Sequence, residues 1–382
     1  MTLAFVYGTR PEAIKIGPVV RALRDRGVRP LLIATGQHWD LLDGTPADSD
    51  LADSISLGLR ATSDLEGWME GAVPCIAAVL RAEQASGVVV QGDTASVLAG
   101  ARAAHGMGLP IAHIEAGVRS GSLKEPYPEE AIRRWVTQLV EETTGLHCAP
   151  TTIAKGHLVK ERVPAARILV TGNPIVSAMA LYAGAEPVAE PDPRVLVTMH
   201  RREWLARGER HVRQTIQAIG PIAEAHPAVS FVWPMHPVVR SVVDPGAIPL
   251  PPNVLVGDPV PYPRSVRLVA GSIGVATDSG GLQEEACTLG VPCAVLRNVT
   301  DRPESVLWGT ATLFPPSPEG MTRGLEALLA RRMPRTPSDL YGTVESAARI
   351  ADALLAWALP APTAPIVAPY PRTTPSYFVP KS

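Results

Sequence analysis

Short apolar runs alternate along the chain with longer stretches whose apolar residues recur every three or four positions. "LAFVYG" at 3–8 predicts a buried strand, and "TRPEAIKIGPVVRALRD" at 9–25 predicts a helix with Pro11 in its first turn. "VRPLLIATG" (28–36), "GVVVQGD" (87–93) and "PIAHIEAG" (110–117) repeat the strand pattern, with helical periodicity between them. The alternation restarts with "RVLVTMH" (194–200), the helical "ERHVRQTIQAIGPIAEAH" (209–226) and "VSFVWPMH" (229–236). "NVLVGD" (253–258), "IGVATD" (273–278) and "PCAVL" (292–296) continue it. Strands this apolar are buried on both faces, which implies parallel sheets flanked by helices, an α/β fold.

The proline-rich patch "GAEPVAEPDP" (184–193) separates the two series and is the linker candidate. It predicts an N-terminal unit over 1–180 and a C-terminal unit over 181–358, ending in the helix "VESAARIADALLAWAL" (344–359). Residues 359–382 are proline-rich without usable periodicity and are expected to be a disordered tail, with Tyr370, Tyr377 and Phe378 as its aromatic residues.

Composition narrows the function. A chain of 382 residues with 46% hydrophobic residues can build two cores. A net charge of -2 and a pI near 6.5 argue against general affinity for nucleic acid or anionic membrane. The opening "MTLAFVYGTR" lacks a leader pattern and no apolar run is long enough to span a bilayer, so a cytoplasmic location is expected. The four cysteines, Cys75, Cys148, Cys287 and Cys293, match no metal or redox spacing, and Cys287 and Cys293 are expected in the core.

Ligands of parallel α/β sheets bind beyond the carboxyl ends of the strands. Applied here, that rule collects Gly8, Thr9 and Arg10, then Gln37 and His38, Asp93 and Glu115 from the first half. From the second half it collects His200, His236 and the segment Asp278–Gly281. "DSGGLQEE" (278–285) follows a strand and opens a helix. Ser279, Gly280 and Gly281 can present N–H groups to a phosphate at the positive helix end. Glu285, about one turn on, can accept two hydrogen bonds from a ribose diol. The plainer reading makes Ser279 an N-cap and nothing more. At the first strand end, Arg10 is a candidate ligand contact. Lys15 is either a solvated helical lysine or a partner for a carboxylate.

Asp93 and Glu115 each end an apolar strand, and Glu129 opens a helix after "SGSLKEPYP". Three carboxyls at one rim would repel one another and raise at least one pKa, which suits acid–base work. Against this, Glu129 and Glu130 both favour a helix N-terminus, and only one need face inward. Arg133 could pair with either or meet phosphate, and Arg119 could screen the cluster. His200 could hold phosphate as a cation or donate a proton to a leaving group. No metal-binding set is visible.

Together these segments resemble the bacterial non-hydrolysing UDP-N-acetylglucosamine 2-epimerases. The resemblance rests on "GTRPEAIK" (8–15), "TGQH" (35–38), "QGDT" (91–94), "HIEAGVRSG" (113–121), "PYPEEAIR" (126–133), "TGNPIVSA" (171–178), "HRRE" (200–203), "TDSGGLQEEACTLGVP" (277–292) and "RNVTDRPE" (297–304). It implies two Rossmann-like domains around a central cleft, the glycosyltransferase-B architecture, with the last helix crossing back to the first domain. It implies a UDP-sugar substrate, no NAD or metal cofactor and a homodimer. It also implies anti elimination of UDP to 2-acetamidoglucal and re-addition on the other face. By resemblance Asp93, Glu115, Glu129 and His200 are catalytic, and Arg10, Lys15, Arg133, His200, Ser279, Gly280 and Glu285 bind substrate. Gln37 and His236 match a second UDP-GlcNAc site. A hydrolysing 2-epimerase and a glycosyltransferase of the same fold are the alternatives.

The chain departs from the usual family pattern at four places. Ile132 stands where Asn is usual, either as an apolar cleft residue or as part of a repacked helix face. Gln91 replaces a histidine, Asp40 replaces Gln or Glu, and "PMHP" around His236 is a shortened form of a longer motif. The last two weaken the expectation of activation at a second site. They also fit a different acyl group or a related UDP-sugar, as in specialised glycoside or cell-envelope biosynthesis.

Overall fold

Apolar pentapeptides such as Leu3–Tyr7 and Gly87–Gln91 are buried along their whole length, as central parallel strands must be. The computed structural model describes residues 2–36, 47–60, 64–122, 125–183, 193–330 and 336–358. Gln37, His38, Asp40, the 184–192 stretch and the 359–382 tail lie outside them.

The first sheet contains β1 (Leu3–Tyr7), β2 (Leu31–Ala34), β3 (Ile55–Ser56), β4 (Gly87–Gln91), β5 (Ile111–Ile114), β6 (Leu146–Ala149) and β7 (Ile168–Val170). Its order is β3-β2-β1-β4-β5-β6-β7, with every pairing parallel. The second contains β8 (Arg194–Thr198), β9 (Ser230–Pro234), β10 (Val254–Gly257), β11 (Gly274–Thr277), β12 (Cys293–Leu296) and β13 (Ala311–Phe314). Its order is β10-β9-β8-β11-β12-β13, again parallel throughout. Both sheets are doubly wound. The direction of winding reverses between β1 and β4 in the first and between β8 and β11 in the second, and these crevices are where such sheets take ligands.

Separate apolar clusters fill the two sheets. One packs Val195, Phe231 and Trp233 of the second sheet under Ile216 and Leu325. Another joins β1 to the Arg10–Asp25 helix and to Ile350 and Leu354 of the last helix, Ser346–Ala358. The last helix therefore packs on the first. Gly172 and Gly342, both at positive φ, pass one another where the chain moves between the two sheets. A Cβ on Gly172 would meet Ser346 Oγ at 2.2 Å, so only glycine fits the crossing. Among the described residues, no helix is long and apolar enough to cross a membrane.

Cys287 and Cys293 are buried, as expected, along with Cys148; Cys75 is exposed. Ile132 is buried with Val136, Val140 and Leu98 in the cluster beneath the Glu129–Glu141 helix. It is part of a repacked helix face and does not line the cleft.

Candidate active site

The two crevices face each other, and side chains bridge them. Beyond β1, the N-cap Thr9 starts the first helix. Its N–H and that of Gly8 both donate to Glu12 Oε2 at 2.8 Å. Burial pushes the Glu12 carboxyl up to about 7 against these hydrogen bonds. With the turn's own donors committed to Glu12, the cationic group this segment offers the cleft is the Arg10 guanidinium. That side chain donates to Val260 O of the second half at 3.0 Å.

Asp93 lies just past β4 and Glu115 just past β5. Asp93 accepts from Arg133 Nε at 2.7 Å and keeps a quarter of its side chain exposed. Burial would raise its carboxyl, but the charges of Arg133 and Arg302 and the Arg133 hydrogen bond together hold it below its ordinary value. Glu129 is the first residue of its helix, and Glu130 turns away. Glu130 is fully buried, accepting from Ser120 N–H at 3.0 Å and pairing with Arg134 at 3.0 Å. Burial, and then the neighbouring Asp93 charge, raise the Glu129 carboxyl. Two neighbouring acids thus have opposite displacements.

Glu115 is anchored. Its Oε2 accepts from Lys15 Nζ at 2.6 Å and from Gln91 Nε2 at 2.5 Å, and its Oε1 accepts from Arg302 Nη2 at 2.6 Å. Its backbone is held at φ 67°, a strained value for a residue with a Cβ. Lys15 is buried and also lies 3.4 Å from Glu284, so its ammonium faces carboxylates and not solvent. Repulsion among the acids is relieved by interleaved cations, which residue spacing alone does not reveal. Arg119 is not one of them: it is committed to Glu161 at 2.7 Å and to Thr137 at 3.0 Å.

On the facing crevice, Ser279 caps the Gly280–Leu289 helix by accepting from Leu282 N–H. The expected N-cap is therefore present, and the capped turn opens at the crevice. Asp278 Oδ2 accepts the N–H groups of His200 and Arg201 at 2.8 and 2.9 Å, which ties β8 to this turn. His200 Nδ1 lies 3.3 Å from Asp278 Oδ1, and its side chain is 37% exposed. The His236 ring stacks on it with centroids 5.4 Å apart, so His236 adjoins the same cleft. Glu285 is buried one turn into the helix, and burial with the Glu284 charge pushes its carboxyl up to about 8.

Sequence reasoning matched the loop after β12 as the segment 297–304 but gave none of its residues a role. Arg297 pairs with Asp301 at 2.7 Å, and Asp301 reaches Arg133 at 2.5 Å. Arg302, besides holding Glu115, binds Glu284 through Nε and Asp301 through Nη1. The strand-end rule that selected the other residues applies equally to positions 297–302. Glu284, beside the singled-out Glu285, and Gln91, noted only as a departure, were missed because neither had a visible partner in sequence. Among the described residues, no group of three His, Cys, Asp or Glu could hold a metal.

Two Rossmann-like units with a capped helix start facing a carboxylate pair define an enzyme of the nucleotide-sugar-handling class. The family model described as UDP-N-acetylglucosamine 2-epimerase matches residues 21–355, and the chain belongs to that family. It is 33% identical to the UDP-N-acetylglucosamine 2-epimerase of Escherichia coli K12, over 93% of this chain and 98% of that one. It also resembles the Neisseria meningitidis UDP-GlcNAc 2-epimerase bound to UDP-GlcNAc, with TM-score 0.80 and 29% identity over 93% and 100% of the two chains. The Methanocaldococcus jannaschii enzyme in complex with UDP-GlcNAc and UDP gives TM-score 0.82 and 30% identity, with the same coverage.

Proposed function

We propose that the protein interconverts UDP-GlcNAc and UDP-ManNAc, or a close UDP-2-acetamido sugar, without net hydrolysis. The observation that carries this is the pair Glu129 and Asp93, one carboxyl raised and its neighbour lowered, at the crevice opposite a capped helix start. The relatives named as UDP-GlcNAc 2-epimerases, one of them bound to UDP-GlcNAc, support the same substrate.

A carboxylate removes the C2 proton as the C1–O bond breaks, and that bond's electron pair leaves with the β-phosphate of UDP. The new C1=C2 bond makes 2-acetamidoglucal. Protonation of C2 from the opposite face and attack of UDP oxygen on C1 give the epimer, so no reagent is consumed. The leaving diphosphate is stabilised by Arg10, His200 and the N–H groups at Ser279–Gly280, donors aimed where charge develops. Glu285 takes the ribose diol. Asp93 and Glu129 exchange the C2 proton on the two faces. Glu115, held by Lys15, Gln91 and Arg302, completes the acidic wall. Arg133 sets the charge of Asp93.

The two sheets and the crossing last helix fit the glycosyltransferase-B architecture, with units at 1–180 and 181–358. Closure between such units retains glucal and UDP until they recombine. A homodimer in the cytoplasm completes the reading. Proton NMR in D2O with UDP-GlcNAc tests it. Deuterium at C2 together with UDP-ManNAc is the expected result. Free ManNAc with equimolar UDP would replace it with a hydrolysing reaction, and no C2 exchange with any UDP-2-acetamido sugar would overturn it.

A further inference from the structure

Arg302, contributed by the second half of the chain, pairs with three carboxylates in the cleft. Its Nη2 donates to Glu115 Oε1 at 2.6 Å, across 187 positions of sequence. Its Nε donates to Glu284, and its Nη1 lies 3.1 Å from Asp301 Oδ2. All three nitrogens of one guanidinium are therefore committed to carboxylates, each on a different segment. Behind the guanidinium runs the turn that opens the Gly280–Leu289 helix. A Cβ built on Gly280 would lie 3.5 Å from Arg302 Cζ. Glu284 is itself fixed by Asn173 Nδ2 at 3.0 Å and precedes Glu285 on the same helix.

We infer that Arg302 is a positioning residue that sets Glu115 in its working orientation and couples it to the diphosphate-binding turn. This rests on the epimerase reading above. Three features carry it. Glu115 sits on strained backbone at φ 67°, so its side chain needs external restraint. Its other oxygen is held by Lys15 and Gln91 of the first half alone, and Arg302 is the contact that reaches it from the second half. Finally, the planar fork matches three fixed carboxylates at once, which an ammonium cannot do. Glu115 is thereby complete only when the loop after β12 and the Gly280 turn stand in place. A merely structural cation would stabilise the fold without this dependence.

The test compares Arg302→Lys, Arg302→Ala and Glu284→Gln with the wild-type enzyme, scoring UDP-GlcNAc epimerisation, C2 exchange in D2O, UDP affinity and Tm. Wild-type exchange is the control: its absence sinks the epimerase reading itself and, with it, any role for Arg302 in that reaction. Given wild-type exchange, Arg302→Lys is expected to lower kcat by about 30-fold or more while KM stays within about threefold, the pattern of an interaction needed in the transition state. Guanidinium ion is expected to restore part of the activity of Arg302→Ala. Glu284→Gln, which leaves the Arg302–Glu115 contact but removes a charge that also faces Lys15 and Glu285, is expected to lower kcat about threefold to tenfold. Should Arg302→Ala fail to fold, the lysine and Glu284 variants decide. Wild-type kcat in both, whatever their Tm, overturns the inference.

Discussion

Arg133 Nη2 meets Asp301 Oδ2 at 2.5 Å from the other half of the chain, while its Nε holds Asp93 at 2.7 Å. One guanidinium thus helps to lower the Asp93 carboxyl, proposed above as a proton carrier, and clasps the opposite crevice. Asp301 is held far below the usual carboxylate range: burial opposes this, but Arg302, Arg297 and Arg133 outweigh it. A lysine at 133 would keep the charge and lose the planar bridge. Arg133→Lys is expected to lower kcat by about tenfold to a hundredfold with KM nearly unchanged. Steady-state kinetics checks this, and an unchanged kcat would remove Arg133 from the machinery.

Glu129 and Asp93 impose opposite pH dependences on stability. The raised Glu129 contributes stability that is fully present below its unfolded value and is lost as pH rises through its folded value. The lowered Asp93 contributes stability that is present above its unfolded value and is lost as pH falls through its folded value. Glu129→Gln is therefore expected to lower kcat by more than about a hundredfold. It should also lose less Tm than the wild type as pH rises from the ordinary glutamate value through the raised one. Melting curves across that window measure the effect. A wild-type-like decline in the variant would place the titration elsewhere.

Carbon NMR of labelled glutamate isolates the coupling within that pair. Asp93→Asn removes the charge that, after burial, does most to raise the Glu129 carboxyl. The Glu129 carboxyl is expected to titrate at lower pH in the variant, though still above its ordinary value because burial persists. An unmoved titration would show that the two acids do not sense one another.

Much of this arrangement was legible in sequence because strand ends are legible. Apolar runs located β1, β4, β5, β8 and β11, and the doubly wound order placed the residues after them at two crevices. The helix start at Ser279 was readable from a serine and two glycines after a strand. Partnerships were not readable. Lys15 with Glu115, Arg133 with Asp301 and Arg302 with Glu284 join residues about a hundred or more positions apart in two cases, and the third crosses from loop to helix. No periodicity encodes such pairs, since they arise only when separate elements pack. For the same reason Arg119 looked like a member of the acidic cluster in sequence, although it packs against Glu161.

In its proposed role at the ribose, Glu285 makes UDP binding a proton-linked event. Burial, with the Glu284 charge, pushes its carboxyl up to about 8, which favours the protonated form at neutral pH. Ribose hydroxyls donate to the ionised form and so lower its pKa. Binding at pH 7 is therefore expected to release a substantial fraction of one proton. Calorimetry in buffers of different ionisation enthalpy counts it. Glu285→Gln should abolish the release and weaken UDP by about 1–3 kcal/mol, the cost of a lost charge-assisted hydrogen bond. Proton release unchanged in that variant would assign it to another group.

Ile132 separates packing from chemistry. The usual family pattern has Asn at this position, which invites a role in choosing the sugar. Here the side chain is 1% exposed, among Leu98, Val136 and Val140. It shares a helix with Glu129 and Arg133 and is itself packed into the apolar layer that covers the first sheet. An amide placed there would lose its water and, in this apolar layer, meet few groups able to replace it. Ile132→Asn is therefore expected to cost about 2–4 kcal/mol of stability. Helix ends transmit such damage weakly while the fold persists, so kcat per folded molecule should stay near wild type, as should the preference between UDP-sugars. Denaturant unfolding and substrate competition, measured on one preparation, distinguish the roles. A changed sugar preference without a loss of stability would return Ile132 to the cleft.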